Sequence, residues 1–292
     1  MILVTGVTGK TGSRVLAKLV ARGEPVRAQI RDIGKADRVP SGADVVVSSF
    51  EEPAAWEAAA SGCDRIYLVS PVGPDQRRQE GVVLAAALRA GAGAHIVKVG
   101  AMGLDDPEAG RIAHQHSQIR DDLRRSGLPW TVLALSQLME NVFLYMNPVR
   151  EHGVLPVPAG EARITWVDAD DVASVAVGVL TGCGHDRRTY DVTGPEALHH
   201  GEVAARLGAA LGRQVSYVDV APEEACAAMV LAGVPAWTAA GLVETNAWYA
   251  RGGSATPTNV VASVGGRTPT SMAEFLARRV LPGAGVTSRR GH

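Results

Sequence analysis

The 292-residue chain holds only three cysteines and four lysines, carries no surplus of positive charge, and contains no long apolar run. Each shortage removes a class of protein. Cys63, Cys183 and Cys226 are odd in number and show no metal-ligand spacing, so neither a disulfide framework nor a metal site is expected. Each reads as a small buried apolar residue in a reducing compartment. A formal net charge of -1 argues against nucleic acid, whose binding rewards clustered basic residues. No apolar stretch reaches the roughly 18 residues of a membrane span. The opening Met1-Ile2-Leu3-Val4-Thr5-Gly6 leaves no room for a secretion signal. A cytoplasmic setting with neither membrane nor nucleic-acid partner is therefore expected; a homodimer stays open.

With 46% hydrophobic and 20% charged residues, the chain has the makings of a sizeable globular core. Its length suits a nucleotide-binding core with a modest appendage. Short apolar strands alternate with helical stretches at Ile2 to Thr5, Val26 to Arg31, Val45 to Val47, Arg65 to Val69, His95 to Val99 and Thr131 to Leu135. Such alternation predicts βαβ units and an α/β fold, a Rossmann-type doubly wound parallel sheet. Helices are expected at Val15 to Val20, Gln79 to Ala90 and Arg111 to Ser126. The texture changes after Ser136. Strand-like pieces at Arg163 to Val167 and Arg188 to Val192 read as returning to the core. Helices at Asp170 to Thr181, His199 to Leu211, Pro222 to Ala232, Pro235 to Tyr249 and Ser271 to Val280 complete the pattern. The division expected is a core over 1–136 with returning segments within 163–195. A small, mostly helical substrate region covers 137–162 and 196–283, and 284–292 form a flexible tail.

The sharpest local signal is Thr5-Gly6-Val7-Thr8-Gly9-Lys10-Thr11-Gly12, set between the first strand and the first helix. Glycines at 6, 9 and 12 permit a tight turn, close approach to a pyrophosphate and close helix-to-strand packing. The helix N-terminus adds free N–H groups and a positive dipole. The order strand, glycines, helix makes this a dinucleotide site, and no P-loop sequence follows Lys10. Where an NAD site has an acidic residue at the end of the second strand, this chain has Arg31, which can pair with a 2'-phosphate. Lys35 can add a second charge, while Asp32 could weaken the field. NADP(H) is therefore expected over NAD(H).

These residues, with several further motifs, resemble the NmrA-like branch of atypical short-chain dehydrogenases/reductases, which includes NADPH-dependent quinone reductases and azoreductases. The further motifs are Ile30-Arg31-Asp32-Ile33-Gly34-Lys35-Ala36, Val69-Ser70-Pro71-Val72-Gly73-Pro74, His116 with Leu123 to Pro129, Met139-Glu140-Asn141, Trp166-Val167-Asp168 to Val172, and Tyr190-Asp191-Val192-Thr193-Gly194-Pro195-Glu196-Ala197. The resemblance implies that Thr8, Gly9, Lys10, Thr11 and Gly12 hold the pyrophosphate. It implies that Phe50 and Val69, Ser70, Pro71 and Val72 flank the adenosine. Gly100, Ala101, Met102 and Gly103 would lie near the nicotinamide with Asn141. The chain departs from its relatives at Ser48-Ser49, Gly100, Arg120 and Leu133-Ala134-Leu135, where they carry Gly-Asp, Ser, Glu and Leu-Arg-Pro.

Ordinary short-chain dehydrogenases carry Tyr and Lys four residues apart on one helix, the lysine activating the tyrosine as a proton donor. None of Tyr67, Tyr145, Tyr190, Tyr217 and Tyr249 has a lysine four residues on. In the corresponding helix His116 takes the tyrosine's place and Arg120 the lysine's. His116 could act as an acid with Arg120 depressing its pKa, or line the cleft without chemistry. Asn141 is a candidate orienting donor, His114 is expected to face solvent, and His95 to be structural. Leu138, Met139, Phe143, Tyr145, Met146, Met229, Trp237 and Trp248 are either core or substrate-lining. The expected partner is a small conjugated or aromatic molecule receiving hydride from NADPH. Two alternatives remain: a sensor that binds NADP(H) without turnover, and a reductase tailoring a specialised aromatic metabolite.

Overall fold

Seven short apolar segments line up as one parallel sheet, and their connections place the site. In the computed structural model, which describes residues 1–280, the first half runs β1 (Ile2–Val4), α1 (Gly12–Ala21), β2 (Val26–Ile30), β3 (Ala43–Val47), α2 (Pro53–Ala60), β4 (Arg65–Leu68), α3 (Gln76–Ala90), β5 (His95–Ala101), α4 (Gly110–Ser126) and β6 (Trp130–Leu135). The second half runs α5 (Met146–His152), β7 (Val154–Pro156), β8 (Arg163–Thr165), α6 (Ala169–Thr181), β9 (Arg188–Val192), β10 (Ala197–His199), α7 (His200–Leu211), β11 (Ser216–Val218), α8 (Pro222–Leu231), α9 (Ala236–Ala250), α10 (Val260–Ser263) and α11 (Met272–Arg279). The tail expected at 284–292 lies outside the described residues.

The main sheet has the order β3-β2-β1-β4-β5-β6-β9, and every pairing in it is parallel. The order reverses between β1 and β4. Their carboxyl-end loops diverge there and leave a crevice, the ligand position of doubly wound sheets. The inner strands β1, β4, β5 and β6 are largely buried and rich in Val, Ile, Leu and Ala, whereas the edge strands β3 and β9 are largely exposed. One face packs Val15, Leu16 and Leu19 of α1 with Val172, Val175, Ala176 and Val179 of α6. The other packs Trp56, Val83, Ala86 and Leu123 from α2, α3 and α4. A third core lies outside the sheet, around Met139, Trp166, Leu207, Trp248 and Phe275.

One expected returning strand goes elsewhere. β8 pairs antiparallel with β10, outside the main sheet, and only β9 joins β6. The reason is local: β8 is three residues long and leads into the Asp168 cap of α6, whose carboxylate accepts from the Asp170 N–H at 2.9 Å. α6 itself returns to cover the sheet. Among the described residues no helix is long and apolar enough to cross a membrane. The cysteine expectation needs correction too: Cys63 is buried, but Cys226 is only half-buried and Cys183 is exposed beyond the end of α6.

Candidate active site

The loop after β1 folds as its glycines require. Gly6 has φ +62°, a left-handed conformation that L side chains rarely adopt. Gly9 N–H donates to the Gly6 carbonyl at 2.8 Å, closing the turn. A Cβ on Gly12 would stand 2.3 Å from the Gly6 carbonyl oxygen, so the first turn of α1 can nest against the loop only without a side chain. Thr5 Oγ1 donates to the Val69 carbonyl at 2.8 Å and accepts from its N–H at 2.8 Å, stapling the loops after β1 and β4. This cradle, with backbone donors at the helix start, fits a dinucleotide pyrophosphate.

A cavity of about 560 Å³ opens beside it. Its phosphate end is lined by Gly6, Thr8, Gly9, Lys10, Thr11 and Arg31, and its walls continue through Phe50, Val69, Ser70 and Pro71 to Gly100 and Ala101. Phe50 stacks on Trp56 with centroids 5.3 Å apart, which fixes its ring at the wall. Asp32 does not oppose Arg31 directly: its carboxylate accepts the Gly34 N–H at 2.9 Å and caps its own turn. Lys10 Nζ reaches across the mouth to Asn141 Oδ1 at 2.8 Å, uniting two residues 131 positions apart.

The far end is built from Ile112, His116, Leu138, Asn141, Leu144, Thr238, Leu242 and Tyr249. Of the apolar set singled out in the sequence, Leu138 lines the cavity, while Met139, Met146 and Trp248 are buried in the third core. Ile112 of α4, Leu144 and the inward side of α9 provide the rest, and helical spacing alone could not separate those faces. Gly12, Lys35 and Met102 do not line the cavity. Gly12 acts through packing, Lys35 sits half-buried beyond Arg31, and Met102 packs inward with Ser254 Oγ 3.4 Å from its sulfur.

His116 is buried, as a cleft residue should be, but its cation is a different one from that expected. Arg120 turns away and forms a two-pronged pair with Asp105 at 2.5 and 3.0 Å. The charge beside His116 belongs to Lys98 of β5, whose Nζ lies 3.1 Å from His116 Nδ1. Lys98 is 1% exposed and also donates to Glu80 Oε1 at 3.0 Å and to the Val99 carbonyl. Glu80, 1% exposed, accepts from Ser70 Oγ at 2.8 Å and Gln76 Nε2 at 3.1 Å. Burial, with the lysine ammonium beside it, holds the imidazole pKa well below its ordinary value, and burial lowers that of Lys98 while Glu80 opposes the fall. Sequence reading missed this trio. The signal was a lone lysine inside the apolar strand Ile96-Val97-Lys98-Val99, because a buried charge requires a partner.

The two other histidines assigned from the sequence fall as expected, with His114 exposed and His95 bonded to Thr131 Oγ1 at 2.8 Å. Residues 6–182 match the family model described as NAD(P)H-binding. The chain is 36% identical over 276 residues to an NAD(P)H azoreductase of Xenophilus azovorans, covering 94% of this chain and 96% of that protein. It also resembles the NADPH complex of an NADPH-dependent quinone oxidoreductase from Escherichia coli, at 26% identity and a TM-score of 0.86, covering 95% and 99% of the two chains. The NADP(H) complex of a Citrobacter triphenylmethane reductase matches at 25% identity and a TM-score of 0.80, with 95% and 99% coverage.

Proposed function

This chain belongs to the NAD(P)H-binding family, and from that membership and its cavity we propose an NADPH-dependent oxidoreductase that reduces quinone-like or dye-like conjugated aromatic molecules. The observation that carries this reading is a single cavity that joins the glycine cradle and Arg31 to an apolar chamber ending at His116, Asn141 and Tyr249. When bound, the cofactor supplies a hydride.

The chain's own residues do the rest. Arg31 pairs with the 2'-phosphate, and the backbone from Thr8 to Gly12 receives the pyrophosphate. Leu138, Leu144 and Leu242 offer apolar walls to a flat acceptor and exclude water from it. His116 lines the chamber with its Nδ1 already engaged by Lys98, which leaves Nε2 for the acceptor. Such acceptors suit the site because a conjugated system spreads the incoming charge, so positioning contributes most. The reading also assigns small-molecule rather than nucleic-acid partners, which the net charge of -1 supports. It assigns a cytoplasmic setting, in keeping with three free cysteines.

Anaerobic NADPH oxidation with a panel of quinones, enones and azo dyes tests the reading. Consumption with at least one conjugated acceptor, faster with NADPH than NADH, is expected. Tight NADPH binding with no oxidation by any acceptor would instead establish a sensor.

A further inference from the structure

Lys98 and Glu80 form a buried ion pair that cofactor binding does not explain. Its lysine points at His116, among the described residues the one histidine lining the cavity. An ammonium has three donors and no acceptor. Here the three find Glu80 Oε1, the Val99 carbonyl and His116 Nδ1. His116 Nδ1 must therefore accept, and the ring proton resides on Nε2.

We propose that the Glu80–Lys98 pair positions His116 as a neutral, Nε2-protonated donor facing the cavity and resupplies the proton it gives up. This rests on the reductase reading for its substrate, but the tautomer does not. Once the acceptor has gained two electrons and a hydrogen as hydride, one of its heteroatoms carries negative charge. That atom takes the Nε2 proton, Nδ1 takes one from the Lys98 ammonium, and the lysine is left as a neutral amine beside the Glu80 carboxylate. A solvent proton reaching Nε2 after the product has left sends the Nδ1 proton back to Lys98 and restores the starting state. Imidazolate never forms, and in the resting state burial, with the adjacent ammonium, disfavours imidazolium.

The groups around the Glu80–Lys98–His116 chain and its cavity come from several elements. β5 contributes Lys98, α3 contributes Glu80 and Gln76, the loop after β4 contributes Ser70, and α9 contributes Tyr249 to the same cavity. On α4 itself Arg120 is engaged by Asp105. Lys98 and Glu80 are positioning residues, since both act through His116.

Removing the lysine alone would strand a buried carboxylate, so the decisive variant is the near-isosteric double substitution Lys98→Met/Glu80→Gln. In ¹⁵N-histidine NMR at pH 7, the wild-type His116 signal, identified by its loss in His116→Gln, is expected to show the Nε2–H tautomer. In the double variant that preference is lost while the NADPH Kd is unchanged. Single-turnover reduction of a quinone is expected to fall roughly 100-fold. A wild-type imidazolium or Nδ1–H form, a double variant with the wild-type tautomer, or one with the wild-type rate overturns the proposal. If the wild type reduces no acceptor, the reductase reading fails, and the NMR arm still decides the tautomer.

Discussion

On the proposed reading Arg31 carries the cofactor choice: among the described residues the Lys and Arg side chains lining the cavity are Lys10, which is engaged by Asn141, and Arg31. Its competitor Asp32 is engaged in its own turn. Arg31→Ala should weaken NADPH binding relative to NADH by roughly 10- to 100-fold, the worth of one charge-assisted contact. Fluorescence titration with both nucleotides measures the ratio, and an unchanged ratio would remove the assignment. Legibility at this scale follows chain proximity. The phosphate cradle was readable because Gly6, Gly9 and Gly12 are contiguous with the strand and helix they join. The partner of His116 was not, because Lys98 and Glu80 each lie 18 residues from the next member and meet only through the packing of α3, β5 and α4.

Among the elements, α9 has the largest hold on the far chamber, to which it gives Thr238, Leu242, Thr245 and Tyr249. Its position is fixed by the Trp248 Nε1 bond to Asp106 Oδ2 at 2.7 Å and by paired contacts from Arg111 to Glu244 at 2.6 and 2.9 Å. The indole also fills the space left by Gly103 and Gly253, where a Cβ would come within 3.0 and 2.2 Å of it. Trp248→Phe should cost about 1–2 kcal/mol, mainly through the lost hydrogen bond, and Trp248→Ala about 3–5 kcal/mol. Both should raise the KM for the acceptor more than the Kd for NADPH. Thermal denaturation and steady-state kinetics separate the two effects; equal changes in both constants would deny α9 its place at the acceptor end. The central strands and long helices were legible because apolar runs and helical periods repeat within them. α2 and the three-residue strands β7, β10 and β11 are too short for a period to show, and β8, though readable as a strand, gave no sign of its antiparallel partner.

For the molecule as a whole, buried neutral histidines set how stability answers to acid. His200, 1% exposed, lies edge-on to Trp166 and stacked on Tyr217, and burial brings its pKa down to about 4. An unfolded histidine with a pKa of about 6.5 binds more protons than this folded one between those values. The contribution is therefore complete above pH 6.5 and is lost as pH falls towards 4, amounting to about 3 kcal/mol. Melting temperature should decline across that interval, and His200→Phe should flatten the decline. An unchanged slope would show that the ring contributes no proton linkage.

The placement of α6 has a consequence for how the chain is made. The nucleotide loop and six of the seven main strands lie before Ser136, yet one sheet face needs Val172, Val175, Ala176 and Val179, and its last edge needs β9. Emerging from a ribosome, the first half would have its phosphate-binding sequence ready and an oily flank still bare. Completion must wait for residues up to Val192, making this interval the period when a nascent chain most needs protection from its neighbours.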